Sequence, residues 1–266
     1  MNIDKICDAA VMKSTTISEK PLVYFNKSAL GGMFIIIGAL TASFSGGLFF
    51  GTNPALASFL LSAAFPIALL FILYFGGELF TSNVFVMTVG CLNKKTSPKM
   101  LLKVWGASYF GNLVSIIFIV SLFCLSRSYS PSFAAFVQQN VANKLDFYRY
   151  FDTSTSAFVT STGIGIFQLI MRSVFCNFLV CLAYYAFVKV SSEVCKFLLI
   201  FLCVFAFMIA GFEHSIANMA FFTLGYYLVP DFSLWAAVSH MFFCTIGNII
   251  GGALFLAVPV FIIERK

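Results

Sequence analysis

Gly77-Glu78-Leu79-Phe80-Thr81-Ser82-Asn83 interrupts one long apolar stretch, and Gly211-Phe212-Glu213-His214-Ser215-Ile216-Ala217-Asn218 interrupts another. In both, a glutamate is followed five positions later by an asparagine. A Gly-Asn pair lies beyond each: Gly111-Asn112 ends 29 residues after Asn83, and Gly247-Asn248 ends 30 residues after Asn218. The chain around them is apolar. Of 266 residues, 61% are hydrophobic and 10% are charged, with a mean hydropathy of +0.98. A soluble domain is about a quarter charged, so this chain cannot cover a water-facing surface, and a lipid bilayer is its expected solvent.

A helix needs about 20 apolar residues to cross the hydrocarbon. Ser28 to Gly77 holds no charge, which leaves room for two spans turning at Gly51-Thr52-Asn53-Pro54. The whole pattern predicts six spans, about 28–50, 55–92, 102–126, 165–188, 196–229 and 234–262. The second and fifth are too long for plain helices, and these two carry the polar breaks. The matched motifs make spans 1–3 and 4–6 two copies of one unit. Three spans per copy is odd, so the second copy is inverted. The expectation is an all-α membrane protein forming a single transmembrane domain over 1–266. Repeat one covers about 28–126, repeat two about 165–263, and 1–27 is a cytoplasmic N-terminal segment without a signal peptide.

Six spans put both termini on one side. That side holds Lys5, Lys13, Lys20, Lys27, Lys94, Lys95, Lys99, Lys103, Lys189, Lys196, Arg265 and Lys266; the other holds Arg127, Lys144 and Arg149. Basic residues favour the cytoplasmic face, so both termini are expected in the cytoplasm, with the chain in the cell (inner) membrane. The net charge of +6 is then a topology signal. No nucleic-acid partner is expected, because no basic cluster with interleaved aromatics stands outside this pattern. Two histidines and eight cysteines without a CxxC pair argue against a metal site and for cysteines as buried hydrophobes. No cofactor is expected.

Broken backbone inside a membrane must face protein or water. Each second half-helix, starting near Ser82 and near Ser215, turns free N–H groups and a positive dipole end toward the membrane centre. Two such ends favour a small anion, and matched broken helices in inverted repeats point to a transport site at the midplane. His214 sits in the second break, where an ionisable group is expected to be functional. His240 has no motif around it and reads as core. Glu78 and Glu213 read as structural intramembrane charges, each tying a break to a neighbour. Arg172 is the one cation well inside a span and needs either a glutamate or the outer surface. Thr81, Asn177 and Asn248 are buried polar groups that read equally well as a network around His214 or as ordinary interhelical hydrogen bonds. Gly247 and Gly251 form a GxxxG packing signal.

The two breaks, with Tyr109-Phe110-Gly111-Asn112, Cys176-Asn177-Phe178-Leu179-Val180-Cys181-Leu182-Ala183 and Ile246-Gly247-Asn248-Ile249-Ile250-Gly251-Gly252, resemble the formate–nitrite transporter family in order and over nearly the whole chain. The resemblance implies an aquaporin-like fold, assembled as a homopentamer with one pore per protomer. It implies a pore centre at His214 and Thr81, with Asn177 and Asn248 as polar partners. It implies a cytoplasmic constriction of Leu69, Leu79 and Phe207, and a periplasmic one of Phe65, Phe80 and Val180. The family usually carries a vestibule lysine at the position of Ser161, and Lys144 aligns there only with a gap.

The function expected is a channel or transporter for small monovalent anions, inorganic or organic, of weak acids: formate, nitrite, hydrosulfide or similar. Bare ions cross apolar rings at a heavy desolvation cost and neutral acids at a small one, so proton-linked permeation through the central histidine is expected. The alternative is a pH-independent channel for neutral solutes of the water or glycerol type. An enzyme is not expected, since no second catalytic histidine, metal motif or nucleophile accompanies Glu213 and His214.

Overall fold

The computed structural model describes residues 2–264 except Thr153 and Thr155. Arg265 and Lys266 of the charge balance lie outside the described residues. Twelve α-helices run α1 (Asn2–Glu19), α2 (Pro21–Gly47), α3 (Pro54–Ala64), α4 (Ile67–Phe75), α5 (Phe80–Leu92), α6 (Pro98–Ser126), α7 (Pro131–Leu145), α8 (Thr162–Lys189), α9 (Glu193–Ile209), α10 (Ser215–Leu228), α11 (Leu234–Ile250) and α12 (Val258–Glu264). Between α7 and α8, β1 (Arg149–Asp152) and β2 (Ala157–Thr160) pair as an antiparallel hairpin. A π-helical turn, Gly251–Ala257, joins α11 to α12.

The starts are set locally. Proline opens α2, α3, α6 and α7, where its missing N–H costs nothing. Asn53, Ser97, Ser130, Ser192 and Ser233 cap their helices, each accepting a hydrogen bond from a first-turn backbone N–H.

Among the described residues five stretches are long and apolar enough to cross a membrane: Pro21–Gly47, Pro54–Phe75, Pro98–Ser126, Thr162–Lys189 and Leu234–Glu264. The span expected over 196–229 exists as α9 and α10, of 17 and 14 residues, each shorter than a crossing. The span expected over 55–92 bends at Phe65-Pro66 and stops at Phe75, and α5 resumes at Phe80.

Two regions hold helices outside the six expected spans. In the 1–27 segment, Ile3, Ile6, Cys7, Ala10 and Ile17 of α1 form one buried stripe against Phe85, Val86 and Val89 of α5. The 127–164 connection contains α7, which buries Phe133, Phe136, Val137 and Val141. Both follow the three-to-four residue period of an amphipathic helix. The main core gathers around the two non-helical stretches. There the helices approach closely: a Cβ at Gly111 would lie 2.4 Å from Cβ of Ser28, and one at Gly247 would lie 2.6 Å from Cβ of Ser173.

Candidate functional site

Two short backbone breaks build the site. The helix before each ends at a glycine with positive φ, Gly76 at 80° and Gly211 at 66°, two residues before its glutamate. A side chain is strained in that conformation. The next N–H in each case reaches back five residues, Gly77 to the Ile72 carbonyl at 3.0 Å and Phe212 to that of Phe207 at 2.9 Å. The chain then extends through Leu79 and His214, which precede the first turns of α5 and α10. Gly76, rather than Gly77, is thus the counterpart of Gly211.

One asparagine knits each break. Asn112 accepts from the Phe80 N–H at 3.1 Å and donates to the carbonyls of Glu78 at 2.9 Å and Ser28 at 2.7 Å. Asn248 accepts from the Ser215 N–H at 2.8 Å and donates to the carbonyls of Glu213 at 2.9 Å and Ser173 at 2.8 Å. Groups orphaned by the broken helix are satisfied in this way, as burial requires.

One lysine neutralises each glutamate. Lys13 of α1 meets Glu78 at 2.5 Å, and Lys144 of α7 meets Glu213 at 2.6 Å. Asn83 donates to Glu78 at 3.0 Å and Asn218 to Glu213 at 2.8 Å. The glutamates therefore do tie the breaks to neighbours. The neighbours are lysines that the sequence reading counted only as surface charge. Lys13 precedes Glu78 by 65 residues and Lys144 precedes Glu213 by 69, and no local motif marks either lysine.

His214 and Thr81 join the two breaks. Thr81 Oγ1 and His214 Nε2 lie 2.8 Å apart, with Thr81 fully buried and His214 nearly so. The Ala217 N–H donates to His214 Nδ1 at 3.0 Å, so the imidazole caps α10. A neutral ring whose Nδ1 accepts carries its hydrogen on Nε2. His214 therefore donates to Thr81, and the threonine hydroxyl keeps its own hydrogen for another acceptor. Asn177 donates to the carbonyls of Thr81 at 3.2 Å and Asn248 at 2.6 Å, linking α8 to both repeats. The π-helical turn adjoins this point: a Cβ at Gly252 would come 2.8 Å from Asn177 Nδ2.

A cavity of about 380 Å³ leads to His214 from the end of the molecule that carries α7. Glu213, Lys144, Arg172, Gln139, Asn140 and Asn143 line it, with Phe212, Ala217 and Phe221. Ser161 is instead the residue before α8, and its N–H bonds the Tyr148 carbonyl. Among the described residues Arg172 pairs with no glutamate; its Nε donates to the Gln168 carbonyl on its own helix at 3.4 Å. His240 is buried, edge-on to Phe147 and Phe222, with Nε2 3.8 Å from Glu213 Oε2.

Leu69, Leu79, Phe207, Phe65, Phe80 and Val180 are all buried near the breaks. Phe65 and Phe207, assigned by the sequence reading to opposite constrictions, meet edge-on at 6.3 Å. Phe65 also stacks at 6.5 Å on Phe221, and Phe207 lies 5.9 Å from the His214 ring. Phe80 packs edge-on against Trp105 and Tyr109 of α6. Among the described residues no group of three His, Cys, Asp or Glu is placed to hold a metal ion.

The chain and its fold resemble known proteins. A family model described as "Formate/nitrite transporter" matches residues 1–262. The chain is 31% identical over 257 residues to the uncharacterized transporter YwcJ of Bacillus subtilis, covering 96% of this chain and 94% of that one. A solved structure described as an FNT family ion channel superposes with a TM-score of 0.85 at 25% identity, covering 98% of both chains. A second, described as a pentameric formate channel with formate bound, superposes with a TM-score of 0.73 at 23% identity, covering 92% of this chain and 98% of that one.

Proposed function

The chain belongs to the formate/nitrite transporter family, and from that premise we propose that it is a channel passing small monovalent anions of weak acids, with proton linkage, past His214. It sits in the cell membrane as one transmembrane domain of six spans. The spans form two inverted repeats, about 28–126 and 165–263, in an aquaporin-like arrangement with broken second and fifth spans. Both termini face the cytoplasm. Five copies assemble, as the description of the pentameric neighbour suggests.

The observation that carries this reading is the 2.8 Å contact between Thr81 and His214. It sets a hydroxyl and an imidazole N–H between two half-helix N-termini, in a buried setting of large apolar side chains. An anion stripped of water there finds the free hydrogen of the Thr81 hydroxyl, polarised by the His214 N–H, and two positive dipole ends. Protonated, the same molecule passes the apolar rings at far lower cost. Leu69, Leu79 and Phe207 form the cytoplasmic constriction, and Phe65, Phe80 and Val180 form the periplasmic one, on the α7 side. Asn177 and Asn248 hold His214 and Thr81 in register.

Flux of formate, nitrite, hydrosulfide, acetate and lactate into proteoliposomes at two pH values tests this. Small acids should enter faster at the lower pH and well ahead of glycerol. Glycerol flux equal to formate flux, with no pH dependence, would replace this function with a neutral-solute channel.

A further inference from the structure

The helix that opens each repeat grips its break through two successive residues. The Glu78 N–H bonds the Lys27 carbonyl at 2.9 Å, and Asn112 bonds that of Ser28. The Glu213 N–H reaches the Arg172 carbonyl at 3.5 Å, and Asn248 bonds that of Ser173. Lys27 and Arg172 therefore occupy equivalent places, and both are cations.

Each break thus has two basic residues with different electrostatics. Lys13 and Lys144 are cancelled at close range by Glu78 and Glu213. A tight ion pair presents a dipole, whose field falls off faster than that of a lone charge. Arg172 lines the α7-end cavity, and among the described residues no carboxylate lies within ion-pair reach of it. The charged groups lining that cavity are Lys144, Glu213 and Arg172, so its net charge is that of Arg172. Gln139, Asn140 and Asn143 add neutral amides.

We propose that Arg172, rather than the ion-paired Lys144, is the anion-collecting residue of this vestibule and selects planar anions with two equivalent oxygens. A guanidinium presents paired N–H groups in a fork that matches a carboxylate or nitrite. Hydrosulfide, with one acceptor atom, gains only the charge. An ammonium at this place attracts any small anion without that preference. The inference rests on the channel reading and names the substrate class that its outer mouth favours.

The test is uptake by intact cells expressing the full chain, which reads entry from the outer face. Half-saturating concentrations of formate, nitrite and hydrosulfide are measured at low and high ionic strength. Arg172→Gln should raise the half-saturating formate and nitrite concentrations about fivefold, affect hydrosulfide less, and flatten the salt dependence of all three. Arg172→Lys should keep the salt dependence and still lose the preference for formate over hydrosulfide. It also controls for folding, which size-exclusion chromatography in detergent checks for both variants. Unchanged half-saturation and salt dependence in Arg172→Gln, beside a working wild type, overturns the proposal. So does a preference retained in Arg172→Lys. A wild type that moves none of the three anions overturns the channel reading instead.

Discussion

At the first break Leu79 follows Glu78; at the second His214 follows Glu213. Two positions further on the contrast reverses, with Thr81 in the first repeat and Ile216 in the second. The positive-φ glycine, the glutamate with its lysine, and both asparagines are the same in the two. The two breaks share one framework, and the polar pair at its centre is made once, by one residue from each break. Each member's counterpart in the other repeat is apolar. Two breaks of matching backbone thus gain an asymmetric centre from two side-chain differences.

The comparison breaks most visibly at the ion pairs. Lys13→Met and Lys144→Met each leave a buried carboxylate unpaired, which costs about 3–5 kcal/mol. Both should lower the melting temperature in detergent strongly, and adding Glu78→Gln or Glu213→Gln to the matching lysine variant should recover most of the loss. If one lysine is dispensable, the two breaks are not equivalent supports. Asn112→Leu and Asn248→Leu come next. Each strands one N–H and two carbonyls, at about 1–3 kcal/mol for each buried group not rescued by another partner. Equal losses of folded protein sharpen the equivalence, and a large difference sets it aside.

The asymmetric centre has a smaller signature. His214→Leu removes a helix cap and should cost about 1 kcal/mol, whereas His214→Asn keeps a capping side chain and should cost less. Leu79→Ala removes no cap, so its effect on melting should follow packing alone. Thermal melts of the three separate the capping role of His214 from its place opposite Thr81. Smallest of all is Ser161→Ala. Its side chain caps nothing, so stability should stay within about 0.5 kcal/mol and formate uptake should be unchanged. A large loss of uptake would return the vestibule role to that position.

Glu78, Glu213, His214, Thr81 and the asparagines were legible in the sequence because polar groups are rare in so apolar a chain, and rarity marks them. Their matching spacing made the repeat visible. Lys13 and Lys144 were not legible, because basic residues are common at membrane edges and nothing local separates a buried ammonium from a solvated one. Helices α1 and α7 were missed because each carries only a narrow apolar stripe within a polar segment. The edge-on contact of Phe65 with Phe207 was not legible for another reason. The two residues lie on α3–α4 and α9, and only the crossing of those helices decides whether the rings meet. The π-helical turn after Gly251 leaves no mark in apolar periodicity, since all seven residues of Gly251–Ala257 are apolar or small.

The ion pairs also bear on how the protein is made. Synthesis runs from the N-terminus, so Lys13 is in place 65 residues before Glu78, and Lys144 is in place 69 residues before Glu213. Each carboxylate leaves the ribosome after its counter-ion already exists. A glutamate entering lipid alone would be costly, and here a docked lysine can meet it on arrival. Deleting α1 would therefore act first on membrane insertion, by sending Glu78 into the bilayer ahead of any partner.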